Sequence, residues 1–220
     1  MQRLFITALF YLIGSSAFSQ NVLLSEDFEN SSLPAEWSQY TLSNDGGWLN
    51  GNNEDLQSDW WTIQPNGNFI ATNDDACDCD KSKDYLILPI IDLSSVEYAI
   101  MSFSNYYSGE TFQGSTEVAT IEYAFDNGEP LEELQWTVLQ EINGNGNSDE
   151  TVWVSESINL VALAGNNNVR LAFRYNDGGG WMFGWAIDNV LVYEPTGLNL
   201  ALTQLNVPLN LEQGTELNIE

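Results

Sequence analysis

The chain has 220 residues, with 5 Lys+Arg against 32 Asp+Glu and a formal charge of −27. That excess of negative charge repels nucleic acid and anionic membrane, while 43% apolar and 12% aromatic residues set the chain apart from disordered acidic sequences. There is no histidine, which excludes Ser-His-Asp and Cys-His catalysis, imidazole acid–base chemistry and histidine-ligated zinc.

The N-terminus has the three parts of a secretory signal. Arg3 supplies a short positive region, an apolar run follows from Leu4 to Ile13, and Ala17-Phe18-Ser19 fits the small-x-small cleavage rule before Gln20. The apolar run is about ten residues, too short to span a bilayer, which needs ~20. The expectation is a signal peptide over 1–19 and an exported chain with no direct membrane insertion.

Beyond it, helical periodicity is nearly absent. Turn residues alternate with β-branched and aromatic runs, which predict strands at 22–28, 68–72, 85–90, 97–107, 117–125, 135–142, 152–158, 168–176 and 181–194. Two of these alternate clearly. Val169, Leu171, Phe173 and Tyr175 share one face against Arg170, Ala172 and Arg174, and Ile121, Tyr123 and Phe125 lie opposite Glu122 and Ala124. One packed and one wet face is the pattern of an antiparallel β-sandwich. Asp126-Asn127-Gly128 is a hairpin signal. Segment 41–67 is long, polar and tryptophan-bearing and predicts little regular structure. Pro195-Thr196-Gly197 reads as a boundary, so that 20–195 forms one domain and 196–220 a linker with the start of a possible further β domain of the same polypeptide.

Six blocks in order carry a resemblance: EDFENSSLPAEW at 26–37, DYLILPIIDLSS at 84–95, AIMSFSNYY at 99–107, EYAFDNGEPLEELQWTVL at 122–139, VSESINLVALAGNNNVRLAFRYN at 154–176 and GWAIDNVLVYE at 184–194. Together they resemble the cleaved-adhesin, or choice-of-anchor J, domain of secreted Bacteroidetes proteins, and more distantly the MAM domain. The resemblance implies an all-β antiparallel jelly-roll, related in form to carbohydrate-binding modules. It also implies an accessory module of an exported or surface protein, often with structural calcium and with a glycan or extracellular protein as ligand.

Calcium takes six to eight oxygen ligands. Glu26, Asp27 and Glu29 sit on or just after the first predicted strand, and Asp188 sits in an apolar run of the last, where a carboxylate is costly unless it is paired or metal-bound. First and last strands of a jelly roll commonly lie together, and the resemblance points to Glu29 and Asp188 independently. The loop after 72 adds Asn73, Asp74 and Asp75. The expectation is one structural Ca²⁺ held by Glu26 or Glu29, the 73–80 loop and Asp188, against the alternative that Asp188 caps backbone amides and the loop is solvated. The two cysteines, Cys77 and Cys79, stand in the same loop. Zinc would need carboxylates to complete its ligand set and a redox pair is rare, whereas export favours a Cys77–Cys79 disulfide. Trp48, Trp60 and Trp61 lie among amides and acids in the polar loop. They are candidates for stacking on a sugar, and the competing expectation, that they fold back over the sandwich, has the size of the rings in its favour. A catalytic acid pair has no distinctive spacing among 32 acids, so a non-catalytic binding or adhesion module is expected ahead of a glycan hydrolase, with a ligand-free spacer domain as the remaining alternative.

Overall fold

The computed structural model describes residues 20–30, 32–145 and 150–195. The predicted signal peptide and the segment after 195 lie outside them. Thirteen strands form in chain order: β1 (Asn21–Glu26), β2 (Ser38–Tyr40), β3 (Leu49–Gly51), β4 (Phe69–Asn73), β5 (Asp84–Ile87), β6 (Ile100–Tyr107), β7 (Thr111–Phe112), β8 (Ser115–Thr116), β9 (Val118–Phe125), β10 (Thr137–Ile142), β11 (Val154–Asn159), β12 (Val169–Asn176) and β13 (Gly184–Glu194). One short helix, α1 (Asn53–Leu56), is closed by a capping box between Asn52 and Asp55. Among the described residues no helix is long and apolar enough to cross a membrane.

Eleven of the strands build two antiparallel sheets, and β7 and β8 pair as a separate two-stranded ribbon. One sheet runs β11-β6-β13-β4-β3, with β1 also on β13, and the other runs β10-β9-β12-β5-β2. Consecutive strands cross repeatedly from one sheet to the other, as in a jelly roll. The chain is the antiparallel β-sandwich that its alternation predicts. The inward residues of β12, Val169, Leu171, Phe173 and Tyr175, are all fully buried. Phe173 meets Phe103 at 5.0 Å and Trp185 at 5.5 Å from the facing sheet, so three aromatic rings knit the centre of the core.

Two details depart from the predicted pattern. The outward face of the second sheet is not simply wet: Thr120, Glu122 and Ala172 are buried beneath Arg174, which lies over the Tyr85 ring and 3.6 Å from Glu122. Segment 41–67 contains β3 and α1, and it folds across the outer face of the first sheet. There Leu56, Trp61 and Ile63 bury a second apolar cluster with Phe69, Tyr106 and Ala186. Trp136 and Trp153 are half-buried, packing on Tyr85 and Phe69 respectively.

The edge of β13 positions the site. Its first half pairs with β4, ending at Ile187↔Ile70, and its second half pairs with β1, starting at Val190↔Glu26. β4 and β1 therefore follow one another along the same side of β13 with a break between them. Asp188 and Asn189 stand in that break, where the ladder to β6 also slips between Asp188 and Leu191. Asn189 takes a positive φ of 51°, which asparagine tolerates better than most residues.

Candidate functional site

At the break, Asp188 is buried, with 2% of its surface exposed. Its carboxylate accepts hydrogen bonds from the Asn189 amide (2.7 Å), Asn189 Nδ2 (2.8 Å) and Asn66 Nδ2 (2.7 Å). Where β1 leaves the sheet, Phe28 turns at φ 50° and plugs the core, which puts Asp27 and Glu29 on its two sides. Glu29 lies against Gly67, whose φ of 72° favours glycine. Burial pushes the Asp188 carboxyl up to about 7; the Asn189 amide opposes this, and the charges of Glu29 and Asp27 add to it. The described basic residues are engaged elsewhere: Lys81 with Asp45 and Asp84, Arg170 with Asp126, Arg174 with Glu122, and Lys83 near Asp80. Three carboxylates thus gather without a counter-charge. In the same corner Asn50 donates to the Phe28 carbonyl, and its own Oδ1 is buried with no partner. These are hard oxygens of the kind calcium takes; among the described residues their carboxylates do not close into one three-acid group with ligand atoms within 4.8 Å of one another.

The other end of β4 is built differently. The amides of Asp74 and Asp75 donate to the Phe183 carbonyl at 2.8 and 3.2 Å, and those of Cys77 and Asp78 turn back onto the Asp74 carbonyl at 3.1 and 2.8 Å. Cys77 and Cys79 are joined as a disulfide with Cα atoms 5.2 Å apart. Beneath the loop, Lys81 is fully buried, with Nζ 2.7 Å from Asp45 and 3.2 Å from Asp84. Asp84 also accepts from Thr41 Oγ1 and, at 2.6 Å, from Thr72 Oγ1. Two aromatic side chains come to the surface here. Trp60 is 70% exposed and Trp181 46%, and both hold Asp75: the Trp60 amide donates to its carboxylate (3.1 Å) and Trp181 Nε1 to its carbonyl (3.4 Å). Beside them opens a cavity of about 410 Å³ lined by Asp78, Cys79, Asp80, Asp177, Gly179, Gly180 and Trp181.

No family model matches the chain, and no curated protein matches it by sequence. Solved structures do. The K1 cleaved adhesin domain of Lys-gingipain from Porphyromonas gingivalis superposes with a TM-score of 0.53 at 22% identity, covering 78% of this chain and 97% of that domain. The K3 domain of the same protein gives 0.53 at 17%, covering 80% and 100%, and the K2 domain 0.50 at 21%, covering 77% and 96%. The chain has the cleaved-adhesin fold.

Within the cleaved-adhesin fold the sequence-predicted ligands do not form one group. Asp188 and Glu29 come together, with Asp27, which the sequence places beside Glu26 and Glu29 but does not select as a ligand, as a neighbour. Glu26 is adjacent, but it spends its carboxylate on the Phe28 amide at 2.9 Å. Asn73, Asp74 and Asp75 stand at the far end of β4, because the β4–β13 register places Asp74 opposite Phe183 and Ile70 opposite Ile187. At ~3.3 Å per residue the two ends are roughly 17 Å apart, far beyond the reach of one ion. Asn73 is consumed in binding the Leu56 carbonyl, Ser58 and the Ala76 amide.

Two of the three loop tryptophans follow the competing expectation and fold back into the sandwich. Trp48 is 2% exposed, edge-on to Trp185 with Nε1 on the Asp84 carbonyl. Trp61 is fully buried over Tyr106. Trp48 joins the main core between the sheets, and Trp61 covers the apolar outer face of the first sheet. Trp60 alone of the three reaches solvent, and its partner is Trp181, which the sequence reading did not single out. Lys81, Asp45 and Asp84 were missed as well: one lysine in an acidic run carries no sign that it is buried.

Proposed function

We propose that this is an exported binding or adhesion module, an accessory part of a larger surface or secreted protein, whose sandwich is stabilised by calcium and whose ligand is a glycan or an extracellular protein. The observation that carries the ligand half is the pair of exposed indoles, Trp60 and Trp181, held on one residue, Asp75, at the rim of an acidic cavity. Large rings are seldom left in water without a partner. An indole face accepts the C–H face of a pyranose while nearby carboxylates accept its hydroxyls, and tryptophan is also a common anchor of protein interfaces. The calcium half rests on Asp188, Glu29 and Asp27 with the orphaned Asn50 oxygen. An ion there would tie the end of β1 to the middle of β13, where the backbone ladder is broken. The cleaved-adhesin fold and the N-terminal secretory pattern agree with export.

The test is binding of the exported chain to a glycan array and to immobilised extracellular-matrix proteins, alongside a Trp60→Ala/Trp181→Ala double variant with unchanged far-UV circular dichroism. Loss of at least tenfold in affinity supports the reading. Binding that survives both substitutions overturns it, and so does turnover of a bound glycan.

A further inference from the structure

Three carboxylates, Asp78, Asp80 and Asp177, and the Trp181 indole line the cavity of about 410 Å³ at the end of β12. The two loops that supply them are preformed. The disulfide closes one. The other is backed by the β7–β8 ribbon, with Gly178 against the Thr116 carbonyl and Gly180 against Ser115. The Lys81 amide on Asp177 (3.3 Å) joins the two. Asp177 is 4% exposed and takes that amide on one oxygen and the Gly179 amide (3.0 Å) on the other, which uses about half of a carboxylate's acceptor capacity. The Lys81 ammonium is turned away to Asp45 and Asp84, and Lys83 acts on Asp80. Among the described residues neither Asp78 nor Asp177 stands in an ion pair. The indoles are a separate observation. Trp181 and Trp60 are left 46% and 70% exposed, and both are anchored on Asp75. Acids alone would be solvated; a large ring held in water beside them is not explained by solvation.

We propose that this cavity takes an arginine side chain from a basic segment of an extracellular protein. The inference rests on the reading of Trp60 and Trp181 as the ligand surface, and it narrows that reading to a protein ligand with a cationic anchor. A guanidinium uses both kinds of wall at once. Its flat face stacks on an indole, and its fork of N–H donors forms charge-assisted hydrogen bonds with carboxylates. It is also more weakly hydrated than an ammonium, so it enters a partly dry cavity at less cost. A neutral sugar would use the ring and the acceptors but leave the excess negative charge unanswered. The cavity falls in the size range of small-ligand pockets, and its walls need little ordering on binding. Trp60, on the other side of Asp75, is placed to meet residues that flank the arginine. The formal charge of −27 over the whole chain adds long-range attraction for such a partner, which salt screens.

The experiment is fluorescence anisotropy of the protein with a labelled peptide of arginines spaced by Gly-Ser, beside the same peptide with citrulline, which keeps the shape and removes the charge. The arginine peptide should bind at least tenfold more tightly than the citrulline peptide. Trp181→Ala and Asp78→Asn/Asp177→Asn should each weaken it at least tenfold. Asparagine suits the φ of 44° at position 78 and keeps an acceptor at position 177; if the double variant fails to fold, Asp78→Asn alone should still weaken binding at least threefold. Glu132→Gln/Glu133→Gln removes as much charge from exposed acids beyond the other end of β9 and should leave binding unchanged. Equal binding of the citrulline peptide overturns the proposal, as does affinity that Trp181→Ala leaves intact. A loss in Glu132→Gln/Glu133→Gln as large as in the cavity variants also overturns it, because the attraction would then be diffuse. A glycan held through Trp60 and Trp181, with no binding of the arginine peptide, overturns this inference alone and leaves the ligand surface standing.

Discussion

Asn66 and Asp188, 122 residues apart in sequence, meet in a 2.7 Å hydrogen bond where β4 ends and β1 begins along the side of β13. The amide side chains of Asn66 and Asn189 are what keep the Asp188 carboxylate tolerable inside the sandwich without a cation, and they do so incompletely. Asp188 and Asp74 are both raised from the ordinary 3.8 to about 7. When an acid has a higher value folded than unfolded, the folded state holds the proton more tightly. Stability is then full below about 4 and is lost as pH rises through 7. In EDTA, melting temperature is expected to fall between pH 4 and 7.5, and Asp188→Asn should flatten the fall. In calcium at pH 7.5 the same variant should melt lower than wild type, on the order of 5 °C. A thermal-shift series against pH, with and without calcium, reads both signs.

Lys81 makes a different demand. It is the one fully buried basic side chain among the described residues, and it neutralises Asp84, which is equally buried. Lys81→Met leaves Asp84 with only the Thr41, Ser43 and Thr72 hydroxyls and should cost about 3–5 kcal/mol in urea unfolding. Adding Asp84→Asn to Lys81→Met should recover part of that loss; a double variant that is weaker still would count against the ion pair as the source.

Adjacent tryptophans should behave oppositely. Trp61→Ala empties a site between Tyr106 and the Gly184 backbone and should cost about 3–5 kcal/mol. Trp60→Ala, on an exposed ring, should change stability by no more than about 0.5 kcal/mol while weakening ligand binding. Equilibrium unfolding of the two single variants separates core from surface directly.

The Cys77–Cys79 bridge closes a very short loop, so its effect on the unfolded chain is small. Cys77→Ser/Cys79→Ser should lose less than about 2 kcal/mol of stability. The larger effect should be local, seen as faster hydrogen exchange of the Cys77 and Asp78 amides, which bond to the Asp74 carbonyl.

How much of this was legible in the sequence follows from range. All nine predicted strands are present with ends shifted by a few residues, because each is a run of β-branched and aromatic residues long enough to show its period. β2 and β3 were not visible: Ser38–Tyr40 and Leu49–Gly51 are three residues each, and their pairing depends on edges offered by β5 and β4. Asp188 stood out because a carboxylate in an apolar strand is locally anomalous, and Glu29 because terminal strands tend to meet. The separation of Asp74 from Asp188 was hidden, since it is a matter of strand register and composition holds no register. Which of the loop tryptophans are buried was hidden for a similar reason. Their neighbours in sequence are polar, and the apolar residues that Trp48 and Trp61 pack against belong to strands elsewhere in the chain.

The central proposal is that calcium holds this sandwich together at its broken seam, and differential scanning calorimetry of the protein at pH 7.5 tests it most directly. With millimolar calcium the melting temperature should stand several degrees above its value in EDTA and return when calcium is restored. A melting temperature that is the same in calcium and in EDTA would contradict it.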